Sequence, residues 1–127
     1  MAQEKLYQIA VNAATEYLAD QSDERSNRYV FAYTISIQNT GAVAAQLISR
    51  HWIITDAQGV VQEVRGLGVV GAQPLLQPGE RFEYTSGASI GTPVGTMRGS
   101  YQMVAADGTR FEAPIPEFTL SVPRVLH

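Results

Sequence analysis

SRHWIITDAQGVVQEVRGLGVVGAQPLLQPGE, residues 49 to 80, holds the chain's single tryptophan, Trp52, one of its two histidines, His51, and three glycines spaced G-x-G-x-x-G: Gly66, Gly68 and Gly71. That spacing is used in dinucleotide-binding turns, where glycines let the backbone approach a pyrophosphate and a helix then holds the anion at its N-terminus. The residues after Gly71 deny the helix. Pro74 and Pro78 interrupt the chain before two turns could form, and Pro78-Gly79 reads as a type II turn. Where the motif asks for an acid about 20 residues on, the chain has Gly91. The triplet is therefore read first as structural, serving positive φ, a bulge or close backbone approach. A second reading stays open, because backbone N–H groups in a turn can form an anion-binding nest without a helix. Gly66, Gly68 and Gly71 would then hold a pyrophosphate or dinucleotide, with Arg65 as the adjacent cation.

On both sides of this stretch the apolar residues alternate with period two, the signature of half-buried strands. Residues 6 to 17 form the first, with Tyr7, Ile9, Val11 and Ala13 sharing a face. The charged run 19–27 is a surface loop. From Arg28 to Gln38 the pattern is clearest, with Tyr29, Phe31, Tyr33, Ile35 and Ile37 inward and Val30 among the outward set. Asn39-Thr40-Gly41 turns the chain into a third strand, 45–55, which places Ile48, Trp52 and Ile54 on one face with Arg50. Leu47, Ser49, His51 and Ile53 take the other face. An arginine beside the tryptophan must snorkel outward or find a partner.

Asp56-Ala57-Gln58-Gly59 is a hairpin turn into a short strand, 60–65. After Pro78-Gly79 a fifth short strand, 80–86, precedes a loop from Gly87 to Gly95. A sixth, 96–105, has Met97, Gly99, Tyr101 and Met103 on one face. Asp107-Gly108 is a strong hairpin signal, so 109–120 should return antiparallel, with Pro114 and Pro116 confining it to an edge or a bulge; the tail from Ser121 should be loose. About seven short strands and no helical stretch predict an all-β, two-sheet antiparallel sandwich of fibronectin type III or immunoglobulin kind.

Bulk properties bound the rest. At 127 residues the chain is expected to be one domain, ordered over about 6–120. Without cysteine it has no disulfide framework, thiolate metal cage or cysteine nucleophile. Nine Lys and Arg residues scattered among twelve acids give a net charge of −3 and no basic stripe, which argues against nucleic-acid binding. The N-terminus lacks a signal-peptide plan and no apolar run reaches membrane-spanning length, so no membrane contact and a cytoplasmic location are expected.

Catalytic chemistry finds little purchase. Gly87-Ala88-Ser89-Ile90-Gly91 fits G-x-S-x-G, but a nucleophile elbow needs a strand-to-helix turn and a later histidine, and only His127 follows. His51, beside Arg50 and Trp52 in mid-strand, reads as a hydrogen-bonded structural residue. Asp56, Glu63, Glu80, Glu83 and Asp107 have no calcium-loop spacing. No catalytic residue, metal site or cofactor is assigned.

Ser49-Arg50-His51-Trp52, Asp56 with Gly59, Val64-Arg65-Gly66-Leu67-Gly68-Val69-Val70-Gly71, Gln73-Pro74, Pro78-Gly79-Glu80, Tyr84-Thr85-Ser86-Gly87, Met97-Arg98-Gly99-Ser100-Tyr101 and Ile115-Pro116-Glu117-Phe118 together resemble the bacterial ApaG family over nearly the whole chain. The resemblance implies a fibronectin-type-III-like sandwich of undetermined biochemical function. It also implies genes neighbouring those for ribosomal-RNA dimethyladenosine methylation and diadenosine tetraphosphate hydrolysis, and a link to cobalt and magnesium tolerance. Similar domains in eukaryotic F-box proteins and a DNA-polymerase-delta-interacting protein imply protein binding. The expected function is a non-catalytic module for an unidentified protein partner, with Arg50, His51 and Arg98 as candidate contact residues; the oligomeric state is not legible. The alternative is pyrophosphate or dinucleotide binding through the glycine triplet.

Overall fold

Tyr29, Phe31, Tyr33, Ile35 and Ile37 are all buried in the computed structural model, which describes residues 5–123. They line one face of β2 (Tyr29–Asn39), as the alternation predicts. Around it the chain forms β1 (Ile9–Tyr17), β3 (Ala45–Asp56), β4 (Val61–Leu67), β5 (Leu75–Leu76), β6 (Arg81–Ile90), β7 (Val94–Ala105) and β8 (Arg110–Ser121). One sheet has the order β1-β2-β6; the other runs β4-β3-β7-β8, with β5 pairing to β3. Every pairing is antiparallel. The expected two-sheet antiparallel sandwich is thus the fold, with seven long strands and the two-residue β5, which alternation could not signal.

The inner faces meet around Trp52, whose ring packs edge-on against Tyr33, Tyr101 and Phe118 at centroid distances of 5.4, 6.4 and 5.8 Å. Such packing adds to the large area an indole buries. The Trp52 Nε1 has no hydrogen-bond partner among the described residues. Beside this cluster the hydroxyls of Tyr84 on β6 and Tyr101 on β7 hydrogen-bond to each other across the sandwich. The turns follow their chemistry: Gly59, Gly79 and Gly108 all have positive φ, and Glu80 N–H donates to the Gln77 carbonyl across Pro78-Gly79.

Several expectations are corrected. Leu47 is fully buried and Ile48 is not, because the β3–β7 register shifts between Leu47 and Ser49. Ile48 is the extra residue of a β-bulge, which moves Leu47 onto the core face while Arg50, Trp52 and Ile54 keep it. Val30, expected outward, is buried under the 19–27 connection, where Leu18 N–H donates to Val30 O and Val30 N–H donates to Ser22 Oγ. That connection also contains two single 3-10 turns, Ala19–Gln21 and Glu24–Ser26. β6 runs on to Ile90, because β2 is long enough to pair Phe31 with Ala88 and Tyr29 with Ile90. Gly87-Ala88-Ser89 is therefore strand, and the loop before β7 is short. β4 likewise extends through Gly66 to Leu67. β8 is an edge strand, and its pairing with β7 slips at Pro116-Glu117, as its prolines suggest. The tail expected to be loose is still strand at Ser121, with Val122 N–H donating to Pro93 O; residues 124–127, including His127, lie outside the described residues.

Candidate functional site: the glycine hairpin and the outer face of the larger sheet

Gly66 is the last strand residue but one of β4, opposite Arg50 of β3. Cross-strand partners point to the same side of a sheet, so the Arg50 side chain and the missing Gly66 side chain compete for one space. A Cβ at Gly66 would lie 2.8 Å from both terminal nitrogens of Arg50. Glycine lets the guanidinium pass, and Arg50 Nη1 then donates to the carbonyls of Leu67 (3.0 Å) and Gly68 (2.8 Å). The partner that an arginine on the tryptophan's face requires is the glycine segment's own backbone.

Beyond Leu67 the chain makes a small hairpin. Gly68 has φ +63°, its N–H donates to Ile48 O, and a Cβ there would collide with the Ala72 carbonyl. Val69 and Ala72 exchange two backbone hydrogen bonds of 2.8 Å, with Val70 (φ +43°) and Gly71 (φ +80°) between them. Two successive residues at positive φ make this a type I′ turn, which favours Asn-Gly and places a β-branched valine where it is strained. The Val70 side chain is 60% exposed. Of the N–H groups from Gly68 to Ala72, those of Gly68, Val69 and Ala72 go to protein carbonyls, while those of Val70 and Gly71 have no partner among the described residues.

His51 and Arg65 face each other on the opposite, outer side of the sheet. The carboxylate of Glu63 joins them: its Oε1 lies 2.7 Å from His51 Nε2 and accepts from Arg65 Nη2 at 3.0 Å. These two hydrogen bonds, the His51 one foremost, hold the Glu63 carboxyl below its usual range. Shallow depressions run across this face. One of about 430 Å³ is bordered by Ser49, His51, Arg65 and Gln102. Its neighbour brings His51 beside Arg98, Glu112 and Glu117. Of the candidate contact residues, the fold thus unites His51 with Arg98 and turns Arg50 to the inner side. Of the candidate anion-binding residues, it joins Arg65 to Glu63 and sets Arg50 against Gly66. Sequence reasoning did not single out Val70, whose strain needs a backbone angle to be seen. Nor did it find Asn39, buried at the end of β2, whose side-chain amide donates to Val43 O and Leu76 O and whose Oδ1 accepts from Gly41 N–H.

Among the described residues no three His, Asp or Glu side chains come together as a metal ion would need, and no helix is long and apolar enough to cross a membrane.

Fold and site define a small antiparallel β-sandwich domain that carries a glycine-built hairpin at one sheet edge. A family model described as the ApaG domain matches residues 19–105. The chain is 70% identical to the protein ApaG of Thiobacillus denitrificans over 127 residues, the whole of both chains. It is 66% identical to that of Nitrosomonas europaea over the same span. A crystal structure described as the putative ApaA protein of Bordetella pertussis superposes with a TM-score of 0.93 at 58% identity, covering 97% of this chain and all of that one. The chain belongs to the ApaG family.

Proposed function

We propose that the protein is a non-catalytic binding module that presents the glycine hairpin to a protein partner, and that it works in the cytoplasm. The observation that supports this best is Val70: an apolar, β-branched residue held at positive φ with its side chain in solvent. Such strain persists only where the surroundings impose it, and it concentrates at functional positions. Leu67 and Leu75, 76% and 56% exposed, flank the hairpin on the outer face of the same sheet. Exposed apolar side chains grouped on a rigid loop are what a protein-binding site offers, at little ordering cost. His51 and Arg98 extend the surface with polar contacts, and the strand frame is of fibronectin type III kind.

The alternative, a pyrophosphate held by Gly66, Gly68, Gly71 and Arg65, has less support. The Gly68 N–H is committed to Ile48, and Arg65 already serves Glu63. The family's link to cobalt and magnesium then acts through the partner rather than through a metal held here.

The test is binding between purified proteins. A photoreactive residue at position 70 identifies the partner by crosslinking, and calorimetry then compares wild type with Val70→Asn. Asparagine tolerates positive φ, so the variant should fold at least as well yet lose tenfold or more in affinity. An affinity unchanged by that variant would overturn the reading.

A further inference from the structure

β4 is an edge strand with an open side and neither a bulge nor a proline to guard it. Its ladder to β3 runs without a bulge from Ser49↔Leu67 to Thr55↔Val61, and its sequence, Val61-Gln62-Glu63-Val64-Arg65-Gly66-Leu67, contains no proline. The opposite edge, β8, carries two prolines and a bulge. Unprotected edges template further strands.

Which residues face outward is fixed by two hydrogen bonds that bracket the ladder. Asp56 N–H donates to Val60 O, and Gly68 N–H donates to Ile48 O. In an antiparallel pair the hydrogen-bonded positions alternate. Gln62, Val64 and Gly66 therefore direct their backbone groups to β3, and Val61, Glu63, Arg65 and Leu67 direct theirs to the open side. The side chains of these four also share the outer face of the sheet and are solvent-exposed.

Read about Val64, the four are self-complementary: an apolar residue and an acid on one side, a base and an apolar residue on the other. A second copy laid antiparallel across a two-fold axis at Val64 sets Val61 opposite the partner's Leu67 and Glu63 opposite the partner's Arg65, each pairing occurring twice. It forms about six backbone hydrogen bonds between groups of the odd-numbered residues that β3 leaves unpaired; two more would share Leu67 O, which already accepts from Arg50 Nη1. A two-fold interface must match a surface to itself, and this strand does so in charge, in apolar character and in hydrogen-bond phase.

We propose that two copies of this chain associate through β4, antiparallel about Val64, joining their larger sheets edge to edge. The inference does not rest on the proposed partner binding: the Val70 tip lies beyond the paired segment, and Leu67 is the one residue common to the two surfaces. One strand edge is a small interface, so the dimer is a concentration-dependent one.

Sedimentation velocity on the full chain, from about 10 µM to about 1 mM, should show the mass rising from 13.8 kDa toward twice that value. Glu63→Arg or Arg65→Glu alone sets like charges against each other across the axis. Each should weaken dimerisation tenfold or more while the chain stays folded, its melting temperature lowered only modestly by loss of the Glu63 contacts with His51 and Arg65. An equimolar mixture of the two variants should regain association as a heterodimer, because each supplies the charge the other lacks. A chain that stays monomeric at the top concentration would overturn the proposal. So would a dimer indifferent to both single variants, or a mixture that fails to associate.

Discussion

The guanidinium of Arg50 and the bare Cα of Gly66 are cross-strand partners, and the arginine occupies the volume a side chain at residue 66 would fill. The first glycine of the motif is thereby assigned to the protein's own cation, which crosses it to reach two carbonyls of the following segment.

Gly66→Ala should therefore displace Arg50 and cost about 1.5–3 kcal/mol, the range for a hydrogen bond to a charged group. In an Arg50→Ala background the same change should be nearly free, since alanine suits a strand at least as well as glycine. A double-mutant cycle by urea denaturation measures the difference. Equal costs in both backgrounds would show that the two residues are not coupled.

Val70→Asn should raise stability, because a β-branched residue at positive φ carries about 1–2 kcal/mol of strain that asparagine largely escapes. Gly71→Ala should lower it by about 1 kcal/mol: its φ is positive, though no atom lies near enough to clash. Thermal melts of both variants check the opposite signs.

Most strands and their inner faces were legible because alternation is a local property, and β2 and β7 show it clearly; the order of the strands in the two sheets was not. What failed was non-local. Leu47 and Ile48 are both apolar, and nothing near them reveals the bulge that buries the first; that is set by β7. Gly87-Ala88-Ser89 has poor strand propensity and is strand because β2 continues opposite it. The site was half legible. Arg50 needed a partner and the glycines needed a close neighbour, but that one answers the other emerges only from the β3–β4 register.

Trp52 is 2% exposed among three aromatic rings. Trp52→Ala should cost about 3–5 kcal/mol, read as a large fall in the denaturation midpoint. A midpoint that barely moves would contradict the core described here.

At high pH the buried tyrosine pair should limit stability. Burial pushes Tyr84 up to about 12 and raises Tyr101 as well. Stability is then fully present below the ordinary tyrosine value near 10 and is lost as pH climbs through the raised values, because only the unfolded chain ionises freely. Tyrosinate absorbance should show both groups protonated at about pH 11 and ionising only as the fold melts. On the acid side the sign reverses. Glu63, held low by His51 and Arg65, contributes stability that is lost as pH falls through its lowered value.

Melting temperature and nucleotide affinity, measured together on Gly66→Ala, Gly68→Ala and Gly71→Ala, decide whether the triplet builds a hairpin or cradles a phosphate. The Gly68 variant, with positive φ and a clash against Ala72 O, should lose the most, several degrees at least. The other two should lose less, and wild type should show no saturable binding of ATP or a diadenosine polyphosphate. Saturable binding by wild type, abolished in variants whose melting temperature is unchanged, would contradict the structural reading and assign the glycines to a ligand.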